Sequence, residues 1–167
     1  MRLIKTFALM LLLAGVVFAQ TKFSSETYNF AAVFPGDVQQ TKLDATGVQF
    51  TSYSSDYTFS AMVQYIPLSD AEKAALGTPT KPYWEAFAGV VAQTSGFRLY
   101  NCTMSTFSGY SSYTCDLSGT NAAKVNLEGS LRLIYRDDAI YTSAALRSDA
   151  SREPDVIAFQ GSFHFLK

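Results

Sequence analysis

Apolar and polar residues alternate with a period of two along much of this chain, and that alternation is the strongest constraint on its fold. In residues 57–65 every odd position is apolar or aromatic. In residues 123–135 the odd positions are again apolar apart from Gly129, while most even positions are charged or polar. Successive side chains of a strand point to opposite faces, so both runs predict half-buried strands of an antiparallel sheet.

A tight turn predicts how one pair of strands is aligned. The dipeptide Ser108-Gly109 lies between two runs rich in Tyr, Thr and Phe, which is typical of a two-residue hairpin loop. Equal steps outward from that loop place Cys102 opposite Cys115, at a position where Cα atoms are about 4.5 Å apart. This lies within the roughly 4.4–6.8 Å that a disulfide requires. The N-terminal segment described below predicts export, and disulfides form and persist in exported proteins. We predict a structural disulfide, and the spacing argues against a Cys-x-x-Cys redox pair.

A second turn, Asp137-Asp138, aligns the next two strands. Pairing outward from it places Leu131 opposite Ala144 on an apolar face. On the other face Glu128 lies opposite Arg147, as a cross-strand charge pair. A slip of one residue would destroy this agreement, so the sequence predicts the register as well as the strands.

Helical patterns interrupt the strands in the middle of the chain. Ser69 and Glu72 have the spacing of a capping box at the start of a short helix. Within residues 81–94 the apolar side chains share one stripe at helical spacing: Trp84, Phe87, Ala88 and Val91. A last short helix begins near Pro154. The pattern predicts an α+β fold, a mainly antiparallel sheet flanked by helices.

The N-terminal segment is typical of an export signal. Positive residues precede an apolar run over residues 7–18, and Ala19 completes a small-x-small cleavage pattern. The run is shorter than the roughly 20 apolar residues that a membrane-spanning helix needs. We therefore predict a signal peptide at residues 1–19. Residues 20–167 are expected to form a single exported domain, in a periplasm or outside the cell, without an integral membrane segment.

Four short motifs bracket most of the chain after residue 20: Phe30-x-x-x-Phe34-Pro35-Gly36, Arg132-Leu133-Ile134-Tyr135, Asp138-x-Ile140-Tyr141 and Phe159-x-x-Ser162-Phe163. Together they resemble the PsbP-like family, which includes many small exported bacterial proteins. The resemblance implies an α/β/α sandwich around an antiparallel sheet. It implies little chemistry, because members of that family mostly bind or support other proteins, and a shared fold does not specify function.

Composition and motifs exclude several classes of function. The 13 basic and 14 acidic residues nearly balance, which removes the electrostatic basis for binding nucleic acid. The single histidine, His164, rules out a multi-histidine metal site, and no Gly-x-Ser-x-Gly elbow is present to pair with it. Glycine-rich motifs for phosphates or dinucleotides are also absent from the sequence. We expect no cofactor, no metal site and no nucleic-acid partner.

Two Tyr/Ser-rich segments near predicted strand ends, residues 52–57 and 108–113, are the candidate contact loops. Tyrosine and serine together make adaptable contacts at a low cost in conformational entropy. The candidate contact residues are Tyr53, Tyr57, Tyr110 and Tyr113. The alternative is that these side chains simply decorate solvent-facing strands. The leading hypothesis is an exported, non-enzymatic domain that binds an unidentified envelope or secreted protein.

Two other hypotheses remain open. A carrier for a small apolar ligand would use the helical stripe to roof a pocket over the sheet, whereas a filled core would reject it. A hydrolase would need a carboxylate pair, either Asp137-Asp138, which the turn also explains, or Asp116 with Glu128. Three arginines mark either an anion site or the solvated edge of the sheet: Arg132, Arg136 and Arg147.

Overall fold

The computed structural model describes residues 20–43, 47–76 and 78–167. The predicted signal peptide, residues 1–19, lies outside the described residues. The strands are β1 Thr21–Ser25, β2 Phe30–Phe34, β3 Gln39–Leu43, β4 Gly47–Tyr53, β5 Phe59–Pro67, β6 Arg98–Phe107, β7 Tyr110–Thr120, β8 Asn126–Arg136, β9 Ala139–Arg147 and β10 His164–Phe165. The helices are α1 Asp70–Leu76, α2 Lys81–Ser95 and α3 Glu153–Ser162, with a short 3-10 turn at Ala150–Arg152 before α3.

Seven strands form the main sheet in the order β3-β4-β5-β9-β8-β7-β6, and three form a small sheet in the order β1-β2-β10. The pairs within both sheets are antiparallel. The α+β prediction is therefore confirmed. The chain leaves the main sheet after β5, forms α1 and α2, and returns through the β6–β7 hairpin. β9 then pairs with β5 in the middle of the main sheet.

The register around the second turn is observed as predicted. Leu131 pairs with Ala144 and Glu128 pairs with Arg147. The charge pair is formed, with Arg147 Nη2 3.0 Å from Glu128 Oε2. Asp137 and Asp138 both have positive φ, 49° and 63°, which is the backbone geometry that matches the twist of a two-residue hairpin.

The first hairpin also pairs as predicted near its loop, and Cys102 and Cys115 form a disulfide with a Cα–Cα distance of 4.1 Å. The register then shifts by one residue between Tyr100 and Thr103. This bulge gives β6 an extra residue, and Asn101 there has a φ of 50°. Asn101 and Cys102 together lie opposite Cys115, so the disulfide lies at the bulge itself rather than within a regular ladder.

The main sheet is covered on both faces, as the resemblance implies. On one face, Trp84 and Ala88 of α2 pack on side chains of β7, β8 and β9. On the other face, Phe159 of α3 packs with the small sheet, which contributes Phe30 and Phe34. Residues that alternate along β8 and β9 divide between these two clusters, which is what the period-two pattern predicted.

The fold differs from the sequence-based expectation in two places. β1 was not predicted, and β1, β2 and β10 form a separate sheet rather than extending the main one. The last strand, β10, is only two residues long, since the N–H of Phe163 still bonds to Phe159 O at the end of α3. Phe165 pairs with Phe30, a contact between distant parts of the chain that local patterns do not reveal.

Candidate functional site

The loop between β4 and β5, residues 53–58, is closed by its own backbone. Ser54 N donates to Phe59 O at 2.8 Å, and Tyr57 N donates to Ser54 O at 2.9 Å. Tyr57 has a φ of 57°, in the left-handed region that a bulky side chain rarely adopts. Such a conformation persists only where the surroundings fix it, and residues strained in this way cluster at functional sites.

The Asp56 side chain fixes this loop from within. Its Oδ1 atom accepts from Ser54 Oγ at 2.6 Å, from Thr58 N at 3.2 Å and from Thr58 Oγ1 at 2.9 Å. Its Oδ2 atom accepts from Arg152 Nη2. Arg152 also donates to Thr58 Oγ1 at 3.1 Å and to Asp155 Oδ2 at 3.1 Å, so it joins the loop to the start of α3.

These bonds favour the ionised form of Asp56. The Ser54 hydroxyl has the largest effect, and Arg152 and Thr58 act in the same direction, so the pKa of the Asp56 carboxyl lies well below its ordinary value. The pKa of the Arg152 guanidinium is raised in turn, chiefly by its bond to Asp56. The negative charge of Asp56 is therefore used in hydrogen bonds that stabilise the loop.

The loop presents two tyrosines to solvent. Tyr53 is 47% exposed and Tyr57 is 78% exposed. Their ring centroids lie 6.1 Å apart with 43° between the planes. We refer to these two residues as the exposed tyrosine pair. Their exposure matches the expectation from the sequence, while their role in contacts stays a prediction.

A cleft of about 360 Å³ lies on one side of the pair, and we call it the Asp37 cleft. Its opposite wall is the segment Pro35, Gly36, Asp37 and Gln39. Gly36 N donates to Ser52 Oγ at 3.0 Å, and a Cβ atom at Gly36 would lie only 2.5 Å from Tyr53 O. Only glycine allows the two segments to approach this closely.

A second cleft of about 430 Å³ lies on the other side of the pair, between the end of α2, the start of β5 and the β7–β8 connection. Phe97, Leu127 and Leu146 contribute apolar surface to it, and Tyr53 and Tyr57 line it as well. We call it the Phe97 cleft. The exposed tyrosine pair thus stands as a ridge between two clefts at one end of the molecule.

The second predicted contact loop has a different environment, and its prediction needs correction. Tyr113 is only 3% exposed, and its ring lies parallel to that of Trp84 with centroids 6.4 Å apart. Tyr110 is half-buried and packs edge-on against Phe165, with centroids 5.6 Å apart. Tyr113 is therefore a core residue because α2 covers it, and Tyr110 is covered by the C-terminal segment.

Known proteins are similar to this chain in fold rather than in sequence. No family model matches the sequence, and no curated protein is significantly similar to it. Among solved structures, the chain is similar to cyanobacterial PsbP (CyanoP) from Synechocystis sp. PCC 6803, with 15% identity and a TM-score of 0.60, over 91% of this chain and 96% of that chain. The chain has the PsbP fold. It is also similar to PA94 from Pseudomonas aeruginosa, a protein of unknown function, with 14% identity and a TM-score of 0.51, over 85% and 92% of the two chains.

The likeness to PsbP confirms the resemblance that the four motifs suggested, and at this level of identity it shows the fold alone. One of those motifs builds part of the candidate site. Phe34 is fully buried against Phe159, with ring centroids 5.4 Å apart, and Pro35-Gly36 then carries the chain along the wall of the Asp37 cleft. The sequence identified this motif as a fold signature and missed its place in the site.

The arginines singled out in the sequence have internal partners within this PsbP fold. Arg132 donates to Gln160 O at 3.0 Å, and Arg147 lies 2.8 Å from Glu153 Oε2 as well as pairing with Glu128. Arg136 lies 2.8 Å from Asp137 Oδ2. The expectation of a solvated edge was wrong, because β8 and β9 are inner strands and α3 covers one of their faces.

The carboxylate candidates also have structural roles. Asp138 Oδ2 lies 3.5 Å from Lys73 Nζ, whereas Asp137 pairs with Arg136, so the two neighbours face different partners. Asp116 accepts from Asn101 at 2.9 Å, and Glu128 pairs with Arg147. His164 is exposed, with its Nδ1 2.8 Å from Ser162 O.

The helical stripe is packed against the sheet. Trp84 is fully buried and its Nε1 donates to Ser111 Oγ at 3.0 Å, so the indole is satisfied inside the core. Within residues 20–43, 47–76 and 78–167, no cluster of three or more acidic, cysteine or histidine side chains is placed to hold a metal ion. Each helix in that part of the chain is too short or too polar to cross a bilayer.

Proposed function

We propose that this protein is an exported, non-enzymatic domain that binds another envelope or secreted protein through the exposed tyrosine pair. The observation that carries the proposal is the geometry of that pair. Tyr57 is held in a left-handed conformation, largely exposed, on a loop that Asp56 and Arg152 fix in place. Fixed aromatic side chains bind partners well because little conformational entropy is lost on binding.

The two clefts support the same proposal. A ridge of two tyrosines between two concave surfaces offers shape as well as apolar area to a partner. Tyrosine presents an apolar ring and a polar hydroxyl, which suits a surface that is wet when free and buried when bound. The proposed site is therefore built for contact rather than for reaction.

Export is proposed from the N-terminal apolar run and the cleavage pattern at Ala19. The Cys102–Cys115 disulfide is compatible with an oxidising compartment. The non-enzymatic reading is supported by the candidate chemical groups, since the arginines and carboxylates considered above are engaged in ion pairs or hydrogen bonds. Residues 20–167 are proposed to be the mature domain.

The test is capture of a partner by mild cross-linking in the native cells, followed by isolation of the protein and native mass spectrometry. A Tyr53→Ser/Tyr57→Ser variant should lose the protein adduct. Tyr100→Ser is the matched control, since Tyr100 lies on edge strand β6 and is 36% exposed. It should keep the adduct.

An adduct that survives in the double variant would contradict the proposed site. Absence of any protein adduct would contradict the binding function. A chain that carries a small molecule and no protein would favour the hypothesis of a carrier for a small apolar ligand. Thermal unfolding of the double variant separates loss of binding from loss of fold, because both side chains are exposed.

A further inference from the structure

This molecule already holds one of its own arginines, Arg136, between two partly buried aromatic rings and an exposed carboxylate. The Arg136 guanidinium carbon lies 4.3 Å from the Phe165 ring centroid and 5.2 Å from that of Tyr110. Arg136 Nε lies 2.8 Å from Asp137 Oδ2. A guanidinium is attracted to aromatic faces and is paired by a nearby carboxylate, so this combination suits an arginine side chain.

The Asp37 cleft has the same parts in an open arrangement. Tyr53 and Tyr57 lie 6.1 Å apart by ring centroid, close to the 5.6 Å between Tyr110 and Phe165. Asp37 lines the same cleft and is exposed. Its carboxylate has no hydrogen bond or ion pair with any residue of the described ranges, in contrast to Asp56, whose two oxygens are occupied.

We propose that the Asp37 cleft binds an arginine side chain from an extended segment of the protein partner. The guanidinium would lie against the exposed tyrosine pair and donate to the Asp37 carboxylate. This inference rests on the proposed function and names the chemistry of the partner at that same site.

Charge supports this occupant. The chain without Arg2 and Lys5 has 11 basic residues against 14 acidic ones, a net charge of −3. Asp37 is the charged side chain among the residues that line the cleft, so the cleft itself is negative. A basic group gains from both features, whereas a neutral ligand uses only the rings.

The experiment records the backbone amide signals of the exported protein, labelled with nitrogen-15, as each of three probes is added. The probes are acetyl-arginine methylamide, acetyl-citrulline methylamide and cellobiose, a neutral ligand that could use only the rings. Citrulline has nearly the shape of arginine without the charge. Arginine should shift the backbone amides of residues 36–39 and 53–58, and citrulline should bind at least about threefold more weakly. Equal binding of the two, or shifts with cellobiose and not with arginine, would overturn the proposal.

Asp37→Asn should weaken arginine binding roughly threefold, as expected for one exposed ion pair. Glu26→Gln is the matched control, because it removes the same charge from an exposed residue in the β1–β2 connection, at the opposite end of β2 from the cleft. It should leave binding unchanged, and an equal effect of both variants would reject a role for Asp37.

Failure of this inference can be told from failure of the proposed function. A cross-linked partner that depends on the exposed tyrosine pair but is kept by Asp37→Asn would count against the inference alone. Arginine binding in the cleft without any captured partner would count against the proposed function.

Discussion

Residues 52–57 and 108–113 have nearly the same composition, two tyrosines among serines, yet they have opposite environments. Tyr53 and Tyr57 form an exposed ridge, whereas Tyr113 is buried and Tyr110 is covered. The comparison shows that composition alone does not distinguish a contact loop from a core hairpin. The elements that pack against each segment determine whether its tyrosines are exposed or buried.

The partners that bury the second segment come from distant parts of the chain. Trp84 of α2 stacks on Tyr113, and Phe165 packs on Tyr110. The first segment joins β4 to β5, and its two tyrosine rings lie against each other. In this segment the side chains of Ser54 and Asp56 form hydrogen bonds within the loop, and the two tyrosine rings are left exposed to solvent.

The largest effect that would sharpen this comparison is expected from Tyr113→Ala. Removing a buried aromatic ring stacked on Trp84 should cost about 3–5 kcal/mol of unfolding free energy. Urea unfolding followed by circular dichroism measures it. Tyr57→Ala is the matched change in the exposed segment, and it should alter stability by no more than about 0.5 kcal/mol. Similar losses in both variants would mean that the two segments do not differ as described.

An intermediate effect is expected where the exposed loop is anchored. Asp56→Asn removes the acceptor of the Arg152 guanidinium and weakens the bonds from Ser54 and Thr58. Because the Asp56 side chain is 40% exposed, solvent screening limits the loss to about 1 kcal/mol at pH 7. Partner capture should fall as well, since the loop loses its fixed conformation.

The effect of Asp56→Asn on the unfolding free energy should depend on pH. The pKa of Asp56 is lower in the folded protein than its ordinary value of 3.8, so its stabilisation is complete above that value and fades as the pH falls below it. The stability difference between the protein and Asp56→Asn should therefore narrow below pH 3.8. Urea unfolding at several pH values tests this, with Glu26→Gln as control, and a difference independent of pH would contradict it.

Much of the fold was predictable because its strongest signals are local. Period-two alternation, two turn dipeptides and a capping box predict strands, registers and a helix start, and Ser69 N does donate to Glu72 Oε2 at 2.7 Å. The separate small sheet was not predictable, because β10 pairs with β2 across almost the whole chain. Pairing at such a separation depends on the assembled core and leaves no periodic pattern in the sequence.

The site was predictable only in part, for a related reason. Exposure of Tyr53 and Tyr57 followed from their place near a strand end among serines. The contributions of Gly36 and Arg152 were missed, because each bonds to a residue far away in the chain. The Ser54-x-Asp56 spacing was the one local signal available, since it is typical of a turn in which side chains bond the backbone.

The smallest expected effect has the opposite sign and tests whether Tyr57 is kept for contact. A left-handed conformation costs a non-glycine residue about 1–2 kcal/mol, and glycine avoids that cost but loses about 0.5–1 kcal/mol through its freer unfolded chain. Tyr57→Gly should therefore raise the unfolding free energy by about 0.5 kcal/mol while abolishing partner capture. Tyr53→Gly, in strand β4, should destabilise. If Tyr57→Gly also destabilised, the ring would be stabilising the fold, and the contrast between the two tyrosine segments would lose its basis.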